Sequence, residues 1–404
     1  MYLESELGCD IMDLIYKLRI EDDTIKIDDN FLQNLKHIFS GCRVNFLFGA
    51  GFSANVLGIL DNNEIIFEAL RVYNETDLTN KDKLTILNAY MYWDYFYQCF
   101  YPISEKMSDL ELKDYFEFAQ ILYTILSEKS NPSLDKQANI FTTNYDPIIE
   151  IIFDNSNCIC NDGFEGRIYP VFSTDNYSKT YLRQAVVSNR KAEIPSVNLL
   201  KLHGSVTWKK NTTYGKIVYQ QYKEVLQKFC EEHQKLFVDC LLHDIKNHFN
   251  SSTKTNINDK IEAILCGSLL DGEVAKVKEY EEMLTKYKDM FLIVNPTKEK
   301  FHDTLLNKNY YELLRIFSNE LEKENSLLAV EGFSFKDEHI LDLTRRSMLN
   351  PSLKLLIFCY DENEIADYEV IFKDSKNHNI TYVCLDGKKL TIKEFNEILG
   401  HIHI

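Results

Sequence analysis

The chain has 404 residues, 45% hydrophobic and 26% charged, the balance of a soluble globular protein that can bury a large core as one or two domains. Its formal net charge of −17 argues against a direct, non-specific grip on DNA or RNA, which needs clustered cations. No apolar run approaches the roughly 20 residues that span a bilayer, the acidic start Met1-Tyr-Leu-Glu-Ser-Glu6 lacks a signal-peptide layout, and the ten cysteines follow no disulfide framework; a reduced, cytoplasmic protein without membrane association is expected.

In chain order, residues 1–40 read as a helical arm, because Ile11, Leu14, Ile15 and Leu18 recur at i, i+3, i+4 and i+7. Val44 to Phe48 then read as a buried strand, followed at once by Gly49-Ala-Gly-Phe-Ser53. Residues 61–135 look helical and unusually aromatic. Tyr90, Trp93, Tyr97 and Phe100 fall on one helical stripe, which fits core packing, a pocket lid or a subunit interface. Ala138 to Thr142 is a short strand leading into Thr143-Asn-Tyr-Asp146, and Pro147 suits the first turn of a helix. Residues 154–195 read as loops with short strands, and Val197 to Leu202 as a strand that delivers His203. Residues 209–288 carry dense Lys and Glu with helical periodicity, and Phe291 to Val294 restores a strand before Asn295-Pro296.

The last hundred residues alternate. Strands at Ser326 to Glu331, Leu353 to Cys359 and Ile380 to Leu385 are separated by helical stretches, and a final helix runs from Thr391. Such alternation builds a parallel sheet covered on both faces. The fold class is therefore α/β, a doubly wound, Rossmann-like parallel sheet. One domain, 41–404, has core segments 41–60, 136–208 and 289–404, helical insertions 61–135 and 209–288, and the 1–40 arm in front.

In a doubly wound sheet the loops at the carboxyl ends of the strands converge on a ligand crevice. The pattern Gly-x-Gly-x-x-Ala from Gly49 to Ala54 at a strand end is a dinucleotide-binding fingerprint: Gly49 allows a sharp turn and Gly51 a close backbone approach. Backbone N–H groups of Gly49, Ala50 and Gly51 with the Ser53 hydroxyl would cradle a diphosphate. A dehydrogenase would also show an acidic residue ending a second strand about 20 positions later; that region, Asn62 to Glu68, looks helical, which counts against hydride transfer. Thr143-Asn-Tyr-Asp146 could equally be an Asx-type turn. His203 could be a core histidine, but it ends a strand and precedes Gly204, and an imidazole there can take a proton near neutral pH. Asp337 reads as the cap of the helix that follows.

Together, Val44–Ala54, Phe141–Asp146, Leu200–Ser205 and Val330–Asp337 resemble the sirtuin family, most closely its bacterial sirtuin-like branch in antiviral defence. The resemblance implies an NAD⁺ glycohydrolase yielding nicotinamide and ADP-ribose. It makes Asn144 and His203 catalytic, Asn144 placing the attacking water beside the nicotinamide ribose and His203 acting as base. It assigns Asp146 to the nicotinamide carboxamide and Gly332 and Ser334 to a turn holding the adenosine ribose, and it counts Thr143 and Gly204 among the cofactor-binding residues. It further implies a homo-oligomer working with a HerA-type hexameric ATPase as an abortive-infection effector. Two departures stand out. The two Cys-x-x-Cys pairs of a zinc module are missing, so no zinc is expected, and Gly58-Ile-Leu-Asp-Asn-Asn63 replaces the family's Pro-x-Phe-Arg run. Protein deacylation or ADP-ribosyl transfer, and a non-catalytic nucleotide-sensing scaffold, remain the alternatives. His401 and His403 read as a solvated tail.

Overall fold

The computed structural model describes residues 14–22, 24–57, 63–76, 80–131, 133–184, 186–187, 189–211, 215–250, 256–293, 308–375, 377 and 379–402. Among them nine strands form one sheet, in the order Thr24–Lys26, Leu14–Glu21, Ile380–Leu385, Lys354–Phe358, Ser326–Glu331, Arg43–Phe48, Gln137–Thr142, Ser196–Lys201, Ile159–Asn161. Every pairing is parallel except that between the first two. The central strands are mostly apolar because both faces are covered. Phe46 and Phe48 enter one buried cluster with Phe118 and Phe395, while the intervening Leu47 enters the other with Phe141 and Phe317. The doubly wound α/β architecture expected from the alternation is the one found.

The N-terminal arm is a correction. Leu14–Glu21 is a strand, paired in parallel with Ile380–Leu385, and a helix begins only at Asp29. Leu14, Tyr16, Leu18 and Ile20 also fit a two-residue period. Leu18 is buried, with Tyr16 and Ile20 packed against the core, whereas Leu14 and Ile15 are about half exposed. Ile11 lies outside the described residues. Asp28 caps the helix Asp29–Gly41 by accepting from the N–H groups of Asn30 and Phe31.

Two further expectations change. Residues 209–288 do not open as helix: Trp208–Asn211 and Lys216–Tyr219 pair as an antiparallel ribbon, and helices follow from Tyr222. Phe291–Ile293 is not a strand. Ile293 makes a single antiparallel bridge to Gly204, and Val294 to Pro296 lie outside the described residues.

Of the aromatic stripe, Tyr90, Trp93 and Phe100 are buried and only Tyr97 is exposed. Trp93 stacks on Phe237 at 4.6 Å, and Tyr90 meets the same ring edge-on at 5.0 Å. The two insertions thus share a core, and three of the four stripe residues are used in internal packing. No helix among the described residues is long and apolar enough to cross a membrane.

Candidate active site

Four neighbouring strands, Ser326–Glu331, Arg43–Phe48, Gln137–Thr142 and Ser196–Lys201, end side by side, and these are the strands that carry the four motifs. From Arg43–Phe48 the chain moves to one side of the sheet, and from Ser326–Glu331 to the other, so the order reverses between them. Ligand crevices of open α/β sheets form at such a reversal. A cavity of about 560 Å³ opens there, within the range of small-molecule sites.

The glycines set its floor. Gly332, at φ +64°, turns the chain after its strand. The Gly51 N–H donates to the Gly332 carbonyl at 2.9 Å, and the Gly49 N–H to that of Glu331 at 3.3 Å. A Cβ on Gly51 would lie 2.5 Å from the Gly332 Cα, and one on Gly49 2.5 Å from the Gly332 oxygen. Main chain packs on main chain, which only glycine permits. This narrows the expected diphosphate cradle, because the N–H groups of Gly49 and Gly51 are taken. Ala50–Ser53 is a single 3-10 turn, held by Phe52 stacked 4.0 Å from Phe48 and by the Tyr115 hydroxyl donating to the Phe52 carbonyl. Ala50, Gly51 and Ser53 line the cavity and Gly49 lies behind them.

On one side of this floor, the Asn144 amide donates to the Gly49 carbonyl at 2.8 Å and to the Ser53 hydroxyl oxygen at 3.0 Å. Ser53 in turn donates to Asp146 Oδ2 at 2.8 Å, and Asp146 Oδ1 accepts the Ile148 N–H. The Asx turn and the cavity wall are therefore the same residues. Beneath them the buried Lys201 ammonium binds the Asp146 carbonyl and pairs with Glu150 at 3.1 Å. Burial lifts the Glu150 carboxyl to about 7, with Lys201 opposing the rise.

His203 stands just past its strand with Nε2 3.1 Å from Asp337 Oδ2. The other Asp337 oxygen caps the helix Glu338–Ser347, accepting from the N–H groups of His339 and Ile340. A carboxylate beside Nε2 favours the tautomer with its proton there, leaving Nδ1 with a free lone pair. Thr143, Asn144, Asp146, His203, Gly332, Ser334 and Asp337 all line the cavity. Gly204 does not. At φ +82° it turns the chain, and a Cβ there would meet the Leu292 carbonyl at 2.1 Å, so its need is local packing.

Sequence reasoning passed over the far end, where Glu331, Tyr360 and Glu364 line the cavity. An acidic residue closing an apolar strand beside Gly332 was the available signal. It also passed over Lys336, the one Lys or Arg lining the cavity among the described residues. No group of three or more His, Cys, Asp or Glu side chains among the described residues is placed to hold a metal. Burial pushes the Cys158 thiol up to about 12 and Cys160 well above its usual value, whereas zinc takes thiolates. His401 is exposed, and His403 and the 58–62 part of the departing loop lie outside the described residues.

Residues 138–261 match the family model of the SIR2-like domain. The match takes in Asn144, Asp146 and His203, and supports the sirtuin-like reading with NAD⁺ as the nucleotide in general terms. No curated protein matches the chain.

Proposed function

We propose that the chain is an NAD⁺ glycohydrolase. The observation that carries this reading is the meeting of Asn144 and the His203–Asp337 pair in one crevice, across the glycine floor of a dinucleotide-type reversal. Nicotinamide leaves NAD⁺ as a neutral molecule and the ribosyl carbon becomes oxocarbenium-like, so water must be oriented and deprotonated where charge develops. Asn144 donates both of its bonds to Gly49 and Ser53, which leaves its Oδ1 to hold a water. His203 Nδ1 takes the proton, and Asp337 stabilises the imidazolium that results. Asp146, held by Ser53 and Ile148, has lone pairs left for a carboxamide N–H.

Nicotinamide release from NAD⁺ by purified protein, without peptide, is the test. Asn144→Ala and His203→Ala are each expected to lower turnover at least ~10²-fold, roughly 3 kcal/mol of transition-state stabilisation. Melting temperatures should shift little. Wild-type protein that releases nicotinamide only when an acylated peptide is present would replace hydrolysis with deacylation. The abortive-infection role and the ATPase partner rest on the resemblance of the four motif stretches alone.

A further inference from the structure

Glu331 closes the Ser326–Glu331 strand and is only 3% exposed, yet its Oε2 has no hydrogen-bond partner among the described residues. Its register neighbours are Phe48 and Phe358, and side chains at one register point to one face of a parallel sheet. Glu331 is thus flanked in register by two phenylalanines, and the residue lines the same cavity as Asn144 and His203. Buried polar groups are nearly always satisfied, and an exception calls for a reason. Nothing in the hydrolytic chemistry above uses this one. Lodged on apolar walls, a carboxyl keeps its proton and offers one O–H donor beside one C=O acceptor. That pattern complements an amino N–H beside a ring nitrogen, the edge that adenine presents. A neutral group also avoids repelling an anionic diphosphate.

We propose that Glu331 is the residue that reads the adenine of the dinucleotide, pairing with its amino group and adjacent ring nitrogen. This rests on the NAD⁺ reading of the crevice. Burial raises the carboxyl to about 8, so it should lose its proton, and the adenine pairing, above that pH. Tyr115 and Tyr368, which sense its charge, are pushed far above the ordinary tyrosine range and stay neutral through this window. Glu364 is raised by burial and its Oε2 accepts the Tyr360 N–H, while Glu394 is bound to Thr391. Lys336 follows in the next turn.

The experiment is equilibrium binding, independent of turnover, of ADP-ribose and of etheno-bridged ADP-ribose, whose amino edge is closed by an added ring. Wild-type protein should prefer ADP-ribose about tenfold or more, the effect of one to two well-made hydrogen bonds. Glu331→Leu should weaken ADP-ribose about tenfold and abolish the preference. Glu331→Gln, which keeps shape and both bonding functions, should bind near wild-type at pH 7 and lose the weakening that wild-type protein shows above pH 8. Glu331→Leu with unchanged affinity or preference overturns the assignment, as does Glu331→Gln with the wild-type pH profile. The Gln variant carries the decision if the Leu variant fails to fold. Either of these results with wild-type ADP-ribose binding intact leaves the hydrolase reading standing. Wild-type protein that binds neither ligand overturns both.

Discussion

At the scale of single residues, Asp337 holds two roles on two oxygens, one capping a helix and one facing His203 at 3.1 Å. Asparagine caps a helix as well as aspartate does but cannot stabilise an imidazolium. Asp337→Asn is therefore expected to melt near wild-type yet turn over NAD⁺ at least ~10-fold more slowly, with kcat falling more than KM rises. Asp337→Ala should also lose about 1 kcal/mol of stability. A wild-type kcat in Asp337→Asn would reduce Asp337 to a cap. Glu331 gives a second test at this scale. Its carboxyl is raised from 4.5 to about 8 by burial, so between those values the folded chain binds a proton that the unfolded chain has released. Stability then falls as pH rises from about 4.5 to 8, by about 1.4 kcal/mol per pH unit, and is level above. Glu150 slopes the same way, so the informative quantity is the difference between wild-type protein and Glu331→Gln. Urea unfolding from pH 5 to 8 should show that difference growing; parallel curves would place the ionised form in the folded chain.

At the scale of elements, the parallel sheet was legible because its strands are mostly apolar runs, those at the crevice leading into Gly, Asn or His. The N-terminal strand was not. Leu14 and Leu18 fit a helical period and a strand period equally, and the free edge of Ile380–Leu385 decides the matter by offering a backbone ladder. The His203–Asp337 pair shows the same limit. His203 was found from its place at a strand end, but Asp337 reaches it from a turn more than a hundred residues away, a distance no local pattern encodes. Nor does local pattern reveal the polar chain through the sheet. Asn139 donates to Asn45 at 2.8 Å, Asn198 to Asn139 at 2.9 Å and Asn161 to Asn198 at 2.9 Å, at one register across four strands. Each amide fixes its neighbour's strand, so the ladder pins register near the strand starts, away from the crevice. Asn198→Leu is expected to leave Asn139 Oδ1 without its donor and to destabilise the chain by about 2 kcal/mol. Turnover per folded molecule should not change. A variant as stable as wild-type protein in urea would show that water satisfies the ladder.

At the scale of the whole molecule, an NAD⁺ hydrolase without restraint would drain the cell that makes it, so we propose that activity depends on assembly. The aromatic stretch 80–101, attractive in the sequence as a contact surface, is largely consumed by packing against the second insertion. The N-terminal strand remains a candidate, since Leu14 and Ile15 at the start of Leu14–Glu21 are about half exposed. Apolar side chains left exposed near a sheet edge invite pairing with another chain. A net charge of −17 is unfavourable for a direct grip on nucleic acid, and in this proposal a DNA-translocating ATPase ring of the HerA type would supply that contact. Light scattering with size-exclusion chromatography should then give a homo-oligomer, and NAD⁺ turnover should rise at least ~10-fold when the ATPase is added. Leu14→Asp together with Ile15→Lys should shift the chain toward monomer while leaving the crevice and ADP-ribose binding intact, because these side chains lie outside it. A monodisperse monomer with full turnover on its own would sink the proposal. An oligomer unchanged by the double substitution would move the interface elsewhere on the surface.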